Sequence, residues 1–111
     1  MKVYEISLLG RLWRDSYGNT YHTARIMVNG AYVGITPITY GYGWHFEHTA
    51  KKWLAKNSYI KETDLSHLSL KLQTYHNRYG TKYHSLRRYC EDKGIKFDSV
   101  SVDVKRKKEL K

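Results

Sequence analysis

The dipeptide Asn29-Gly30 limits the fold of this 111-residue chain more narrowly than any other feature of its sequence. Both residues accept a positive φ, so the pair is the typical centre of a type I′ turn between two antiparallel strands. Residues 21–28 before it alternate, with His22, Ala24 and Ile26 on one side, and residues 31–36 run back as far as Pro37. The sequence therefore predicts a β-hairpin here.

An earlier strand extends this hairpin. Residues 2–13 alternate, with Ile6 and Leu8 opposite Glu5 and Ser7, and residues 15–19 form a cluster of turn-forming residues. Three strands in an antiparallel meander follow from this pattern.

A helix is predicted over residues 45–56, after the glycine-containing segment 40–44. Phe46, Ala50, Trp53 and Leu54 recur at the spacing of one helical face. The opposite, outer face is predicted to carry His45, His48, Lys51, Lys52 and Lys56.

Two further segments complete the predicted helices. Residues 82–93 favour a helix, with Thr81 as N-cap and Gly94 as the C-terminal glycine. Residues 58–80 fit a helix or a strand, and we favour the helix.

The last predicted element is a half-buried strand that carries Val100, Val102 and Val104 and returns to the meander. We predict one α+β domain over residues 1–104, in the order βββα(α)αβ. Residues 105–111 are predicted to be a basic tail that frays.

The net charge of the chain indicates a class of binding partner. The chain has 20 Lys and Arg against 10 Asp and Glu, a net charge of +10, and 11 Tyr. Nearly all of the excess lies beyond residue 50, and such a surface attracts polyanions without sequence-specific contacts. We predict nucleic acid as the partner, or alternatively a host protein with an acidic surface, such as a defence or transcription component.

The candidate site combines cations with rings that can stack on unpaired bases. With about six phosphate contacts, affinity should fall roughly a thousandfold between about 50 and about 200 mM salt. The predicted phosphate contacts, called the basic set below, are Lys51, Lys52, Lys56, Arg87, Arg88, Lys105, Arg106, Lys107 and Lys108. The predicted exposed rings are Tyr42 and Trp44.

Enzymatic chemistry is not expected. Residues 32–36 resemble half of the motif of the GIY-YIG endonucleases, but the upstream Gly-Ile-Tyr and the helical Arg are missing. A metal site built around His45 and His48 is a third hypothesis, although zinc-type ligand spacing is absent. We predict no catalytic residues, cofactor or metal.

Three features of the sequence indicate a location. No run approaches the ~20 apolar residues of a membrane span, and the N-terminus does not resemble a signal peptide. The single cysteine, Cys90, fits a reducing compartment. We predict a cytoplasmic protein without membrane contact.

Three stretches together resemble a loose group of small uncharacterised proteins encoded by tailed phages and prophages. They are residues 19–25 leading to Asn29-Gly30, residues 40–43 before a helix, and residues 102–108. The group has no catalytic residues to transfer. The resemblance implies a phage-type accessory protein that acts in the host cytoplasm.

Overall fold

The computed structural model describes residues 2–60 and 85–111 of the chain. Within these ranges it contains five strands, two α-helices and one 3₁₀ helix. Their bounds are β1 Glu5–Arg14, β2 Thr20–Val28, β3 Ala31–Ile35, β4 Thr39–Tyr40, α1 His45–Lys56, α2 Leu86–Lys93, β5 Lys96–Val104 and the 3₁₀ helix Lys107–Leu110.

The strands form one mixed sheet in the order β3-β2-β1-β5, with the short β4 beside the start of β2. β1 and β2 are antiparallel, with Gly10 opposite Ala24, whereas β5 runs parallel to β1, with Ser101 beside Gly10. The predicted α+β class and the antiparallel meander are confirmed, and β5 does return to the meander. β4 was not predicted.

The predicted hairpin turn is present. Asn29 and Gly30 have φ of 54° and 81°, the left-handed values that this turn requires. The Asn29 side chain also accepts hydrogen bonds from the backbone N–H groups of Tyr4 and Glu5. The turn therefore fixes the start of β1 as well as joining β2 to β3.

One face of the sheet, the helix face, packs against α1. The predicted apolar arc is confirmed, because Phe46, Ala50 and Leu54 are fully buried. A Cβ on Gly10 would lie 2.6 Å from the Phe46 ring, so this ring rests directly on the backbone of β1. Ile6 and Leu8 of β1 belong to the same core.

Helix α2 is shorter than predicted. Ser85 is its N-cap, with an extended backbone and a side chain that accepts a hydrogen bond from the N–H of Arg88, so the helix begins at Leu86 and not near residue 82. Its predicted end is confirmed, because Gly94 adopts φ of 69°. Thr81 and most of the ambiguous segment 58–80 lie outside the described residues.

The predicted face of β5 is wrong. Val100 and Val102 are exposed, whereas Phe97 on the other side packs against the core. Strand register explains the difference, since Phe97 lies beside the buried Ile6 and Val102 beside Arg11. The valines therefore lie on the sheet face opposite the helices, called the open face below.

The prediction of a fraying tail is also wrong. Residues 107–110 form the 3₁₀ helix on the open face, and Leu110 is fully buried. Arg11 donates to the main-chain oxygens of Glu109 and Lys111, and the Thr23 hydroxyl donates to that of Leu110. This docked segment, the C-terminal strap, covers part of the open face.

Candidate nucleic-acid interface

A groove of about 630 Å³ lies where β1 and β5 end and α1 begins. Its charged wall is built by Arg14 at the end of β1 and Lys105 just after β5, with Asp103 as the opposing charge. The other lining residues are Leu12, Thr20, Tyr42, Gly43, Trp44, Ser101 and Val104. The groove thus brings together both predicted rings and one member of the basic set.

The rings of Tyr42 and Trp44 are unusually accessible for such large side chains, at 76% and 58% exposed. They belong to the turn that leads into α1, where Gly43 has φ of 60°. Gly41 anchors this turn by donating its N–H to the Thr20 carbonyl at 2.9 Å. Because these anchors lie in the backbone, the two rings are left facing solvent.

His22 holds the same turn from beneath. Its Nδ1 lies 3.0 Å from the Gly41 carbonyl, which can only accept, so Nδ1 carries the proton and Nε2 accepts from the Thr49 hydroxyl at 2.7 Å. Burial lowers the pKa of His22, and the hydrogen bond to Gly41 partly opposes this. A neutral His22 therefore ties the ring-bearing turn to β2 and α1.

Arg87 is bound within the fold. Its guanidinium makes two hydrogen bonds to the carboxylate of Glu47, at 3.1 and 3.0 Å. It also lies 5.6 Å from the ring centroid of Trp44 and 5.1 Å from that of Phe97. Arg87 therefore joins α2 to α1 and supports Trp44, while its side chain stays 53% exposed, so that its role as a phosphate contact stays a prediction.

Lys51 does not lie on the outer face of α1, and that prediction is wrong. Its side chain is 0% exposed. Burial lowers its pKa to about 8, and the neighbouring charge of Lys52 contributes to the shift. α1 carries two buried charged residues because its buried arc is wider than the apolar spacing indicated, and Glu47 lies on it as well.

Lys52 and Lys56 do not line the groove. They line a depression of about 450 Å³ between α1 and the end of β3, together with Trp53 and Pro37. Arg88, Arg106 and Lys108 are exposed but line none of these depressions. The basic set is therefore divided among several surfaces of the described structure and does not form one strip.

A further depression of about 300 Å³ lies on the open face near the same strand ends. Trp13 and Tyr21 have ring centroids 5.9 Å apart, and Tyr21 and Tyr40 5.7 Å apart. Lys107, Asp15 and Ile38 complete the lining. A row of three rings thus ends beside a member of the basic set.

Sequence reasoning missed Arg14, Trp13 and Tyr21 as candidate site residues. Arg14 belongs to the half of the chain with little net charge, so an argument from total charge passed over it. A usable signal existed, because Trp13 and Tyr21 flank the turn-forming residues 15–19 and oppose each other across the β1–β2 hairpin.

The histidines do not assemble a metal centre in the part of the chain that the structure describes. The His22 and His45 rings are 5.3 Å apart, and the His45 and His48 rings 5.5 Å apart. No group of three or more His, Cys, Asp or Glu among the described residues is placed to hold a metal ion. Both ring nitrogens of His22 are already hydrogen-bonded.

Fold and groove together define a small α+β domain with a cationic, ring-lined groove at the ends of two parallel strands. The chain matches no family model, no curated protein and no solved structure. Within the described residues, neither helix has the length and apolar character needed to cross a bilayer.

Proposed function

We propose that this protein binds nucleic acid through the groove between Arg14, Lys105, Tyr42 and Trp44, as a non-enzymatic accessory protein of the phage type. The observation that carries the proposal is the exposure of both rings beside two cations in one groove. Aromatic rings of this kind stack on bases irrespective of sequence, each contributing about 1–3 kcal/mol. The cations supply the attraction to phosphate.

Groove chemistry favours an extended polyanion over a small acidic ligand. Arg14 and Lys105 lie in the same wall as the carboxylate of Asp103, so the local excess of positive charge is modest. A ligand therefore gains more from stacking on the rings than from charge alone. Nucleic acid offers both phosphate and flat bases, which fits the combined lining.

Substitution of Tyr42 tests the proposal. In a fluorescence-anisotropy titration with a labelled oligo-dT of about 12 nucleotides at about 50 mM salt, Tyr42→Ala should weaken binding about tenfold. The matched control is Tyr32→Ala, whose ring is also exposed, at 58%. Tyr32 pairs with Met27 near the opposite end of β2, far from Thr20 in the groove.

Two lysines at opposite ends of β5 test the contribution of charge to binding. Lys105 follows the last residue of the strand and Lys96 is its first, so about 30 Å of extended chain separates them. Lys105→Gln should weaken binding several-fold, and Lys96→Gln should leave it unchanged. Equal losses for both lysines, or for Tyr42 and Tyr32, would contradict a groove-specific site.

A protein partner is the second candidate, favoured by a different observation. Val100 and Val102 are exposed on β5, which ends the sheet order among the described strands. An exposed apolar strand at a sheet edge can pair with a strand of another protein. Val102→Lys should abolish a nuclease-resistant complex with a purified host factor while leaving oligonucleotide binding intact.

A further inference from the structure

We infer that the open-face depression lined by Tyr40, Tyr21 and Lys107 is a second base-stacking subsite, so that the ligand of the groove is a single strand. This inference rests on the proposed function and extends it to the class of nucleic acid. A strand would pass around the rim formed by the ends of β1 and β5. Bases would stack on Tyr42 in the groove and then on Tyr40.

Chain connectivity places the two rings close together. Only Gly41 separates Tyr40 from Tyr42, so their Cα atoms are at most about 7 Å apart. A Cβ on Gly41 would lie 2.7 Å from the His45 ring, which leaves no room for a larger residue between them. The two ring-bearing residues are therefore close neighbours along the backbone.

Strand alternation puts the two depressions back to back. Leu12 and Arg14 of β1 line the groove, whereas Trp13 and Asp15 line the open-face depression. Just beyond β5, Lys105 lines the groove and Lys107, the first residue of the 3₁₀ helix, lines the open-face depression. Each subsite thus combines at least one exposed ring with a cation, as successive nucleotides of one strand require.

Asp15 is the one carboxylate in the open-face depression, and its role is local. Its Oδ1 accepts hydrogen bonds from the N–H groups of Tyr17 and Asn19, both at 2.9 Å. These bonds hold the β1–β2 turn, and the carboxylate keeps its negative charge, which opposes that of Lys107 in the same depression. Lys107 then supplies the cationic side of the subsite.

Duplex nucleic acid fits this arrangement poorly. Paired bases are stacked on one another and present only their edges, whereas both rings need the face of an unpaired base. A single strand can direct one base to each ring as it turns around the rim. The ring arrangement therefore selects single-stranded DNA or RNA.

Length dependence tests the second subsite. Tyr40→Ala should weaken binding of an oligo-dT of about eight nucleotides roughly tenfold, while changing binding of a single nucleotide, which can occupy only one subsite, less than about twofold. Tyr40→Phe should restore the longer-oligonucleotide affinity, because the ring face is retained. The matched control is Tyr4→Ala, since Tyr4 is 60% and Tyr40 59% exposed, and Tyr4 lies at the other end of β1.

The outcomes separate this inference from the proposed function. If Tyr42→Ala weakens binding but Tyr40→Ala behaves like Tyr4→Ala at both lengths, the second subsite is overturned and the groove remains. Equal weakening of both lengths by Tyr40→Ala also overturns it, because that result indicates a single subsite. If a blunt-ended duplex binds more tightly than single-stranded oligo-dT, the single-strand assignment is overturned. Failure of the wild-type protein to bind any oligonucleotide rejects both proposals.

Discussion

At the scale of residues, the unexpected feature is the number of ionisable groups buried on and beneath α1. Lys51 is inaccessible, and burial lowers the pKa of His48 to about 4, aided by the charges of Lys51, Lys52 and His45. His22 beneath them is neutral and hydrogen-bonded at both nitrogens. His22 and Lys51 are polar parts of the core, and His22 holds the ring-bearing turn through Gly41.

Because Lys51 is buried, the folded protein should become more stable at alkaline pH. Its pKa falls from 10.5 to about 8 on folding, so the unfolded chain binds more protons between those values and stability rises with pH there. The expected gain is about 3 kcal/mol in the free energy of unfolding. Urea unfolding of wild type and Lys51→Met at several alkaline pH values measures it. The variant should lack this rise, and an identical rise in both proteins would contradict the assignment.

At the scale of elements, two close contacts lock α1 in place. The Phe46 ring rests on Gly10 of β1, and the Glu47 carboxylate holds Arg87 of α2 through two hydrogen bonds. The first contact needs a residue without a side chain in the strand. The second joins the two helices, and the same Arg87 guanidinium lies 5.6 Å from the ring centroid of Trp44.

Gly10→Ala should destabilise the fold by about 1–3 kcal/mol, because the new methyl group would overlap the Phe46 ring. Thermal and urea unfolding measure the loss. In a Phe46→Leu background the same substitution should cost clearly less, since the smaller side chain makes room. Fully additive effects in this double-mutant cycle would argue against direct overlap.

The C-terminal strap is the element whose docking departs most from expectation. Leu110→Ala should lower the free energy of unfolding by about 2–5 kcal/mol, because a buried apolar side chain is removed. If the C-terminal residues frayed, Leu110→Ala would leave the free energy of unfolding unchanged. Lys108→Ala, exposed in the same 3₁₀ helix, is the control and should stay within about 0.5 kcal/mol of wild type.

At the scale of the whole molecule, the net charge of +10 matters less than its division among surfaces. Lys52 and Lys56 lie beside β3, Lys105 lies in the groove and Lys107 on the open face. A ligand at the strand ends therefore meets only part of the basic set. The rings become correspondingly more important to affinity.

This division predicts a moderate salt dependence. With Arg14, Lys105 and Lys107 as the contacts, the slope of log affinity against log salt should be about −2, or a loss of roughly twentyfold between about 50 and about 200 mM. Anisotropy titrations at several salt concentrations measure it. A slope near −4 would mean that the wider basic set binds as one surface, and a flat response would exclude phosphate contacts.

The candidate site could be predicted only in part. Tyr42 and Trp44 were predicted as exposed rings, and they are exposed and line the groove. Arg14 could not be predicted, because its proximity to Lys105 depends on strands that are about 90 residues apart in the chain. Lys51 was misassigned because helical spacing gives the direction of a side chain and not the width of the buried face.

Local chemistry in the sequence determined the hairpin at Asn29-Gly30, the apolar arc of α1 and the glycine that ends α2, because each depends on residues a few positions apart. Only the tertiary structure decided that β5 runs beside β1, which face of β5 is covered, and that Leu110 is buried. The period-two alternation of β5 shows that its two faces differ. Long-range packing decides which of the two faces meets the core. The division of the cations among surfaces has the same cause.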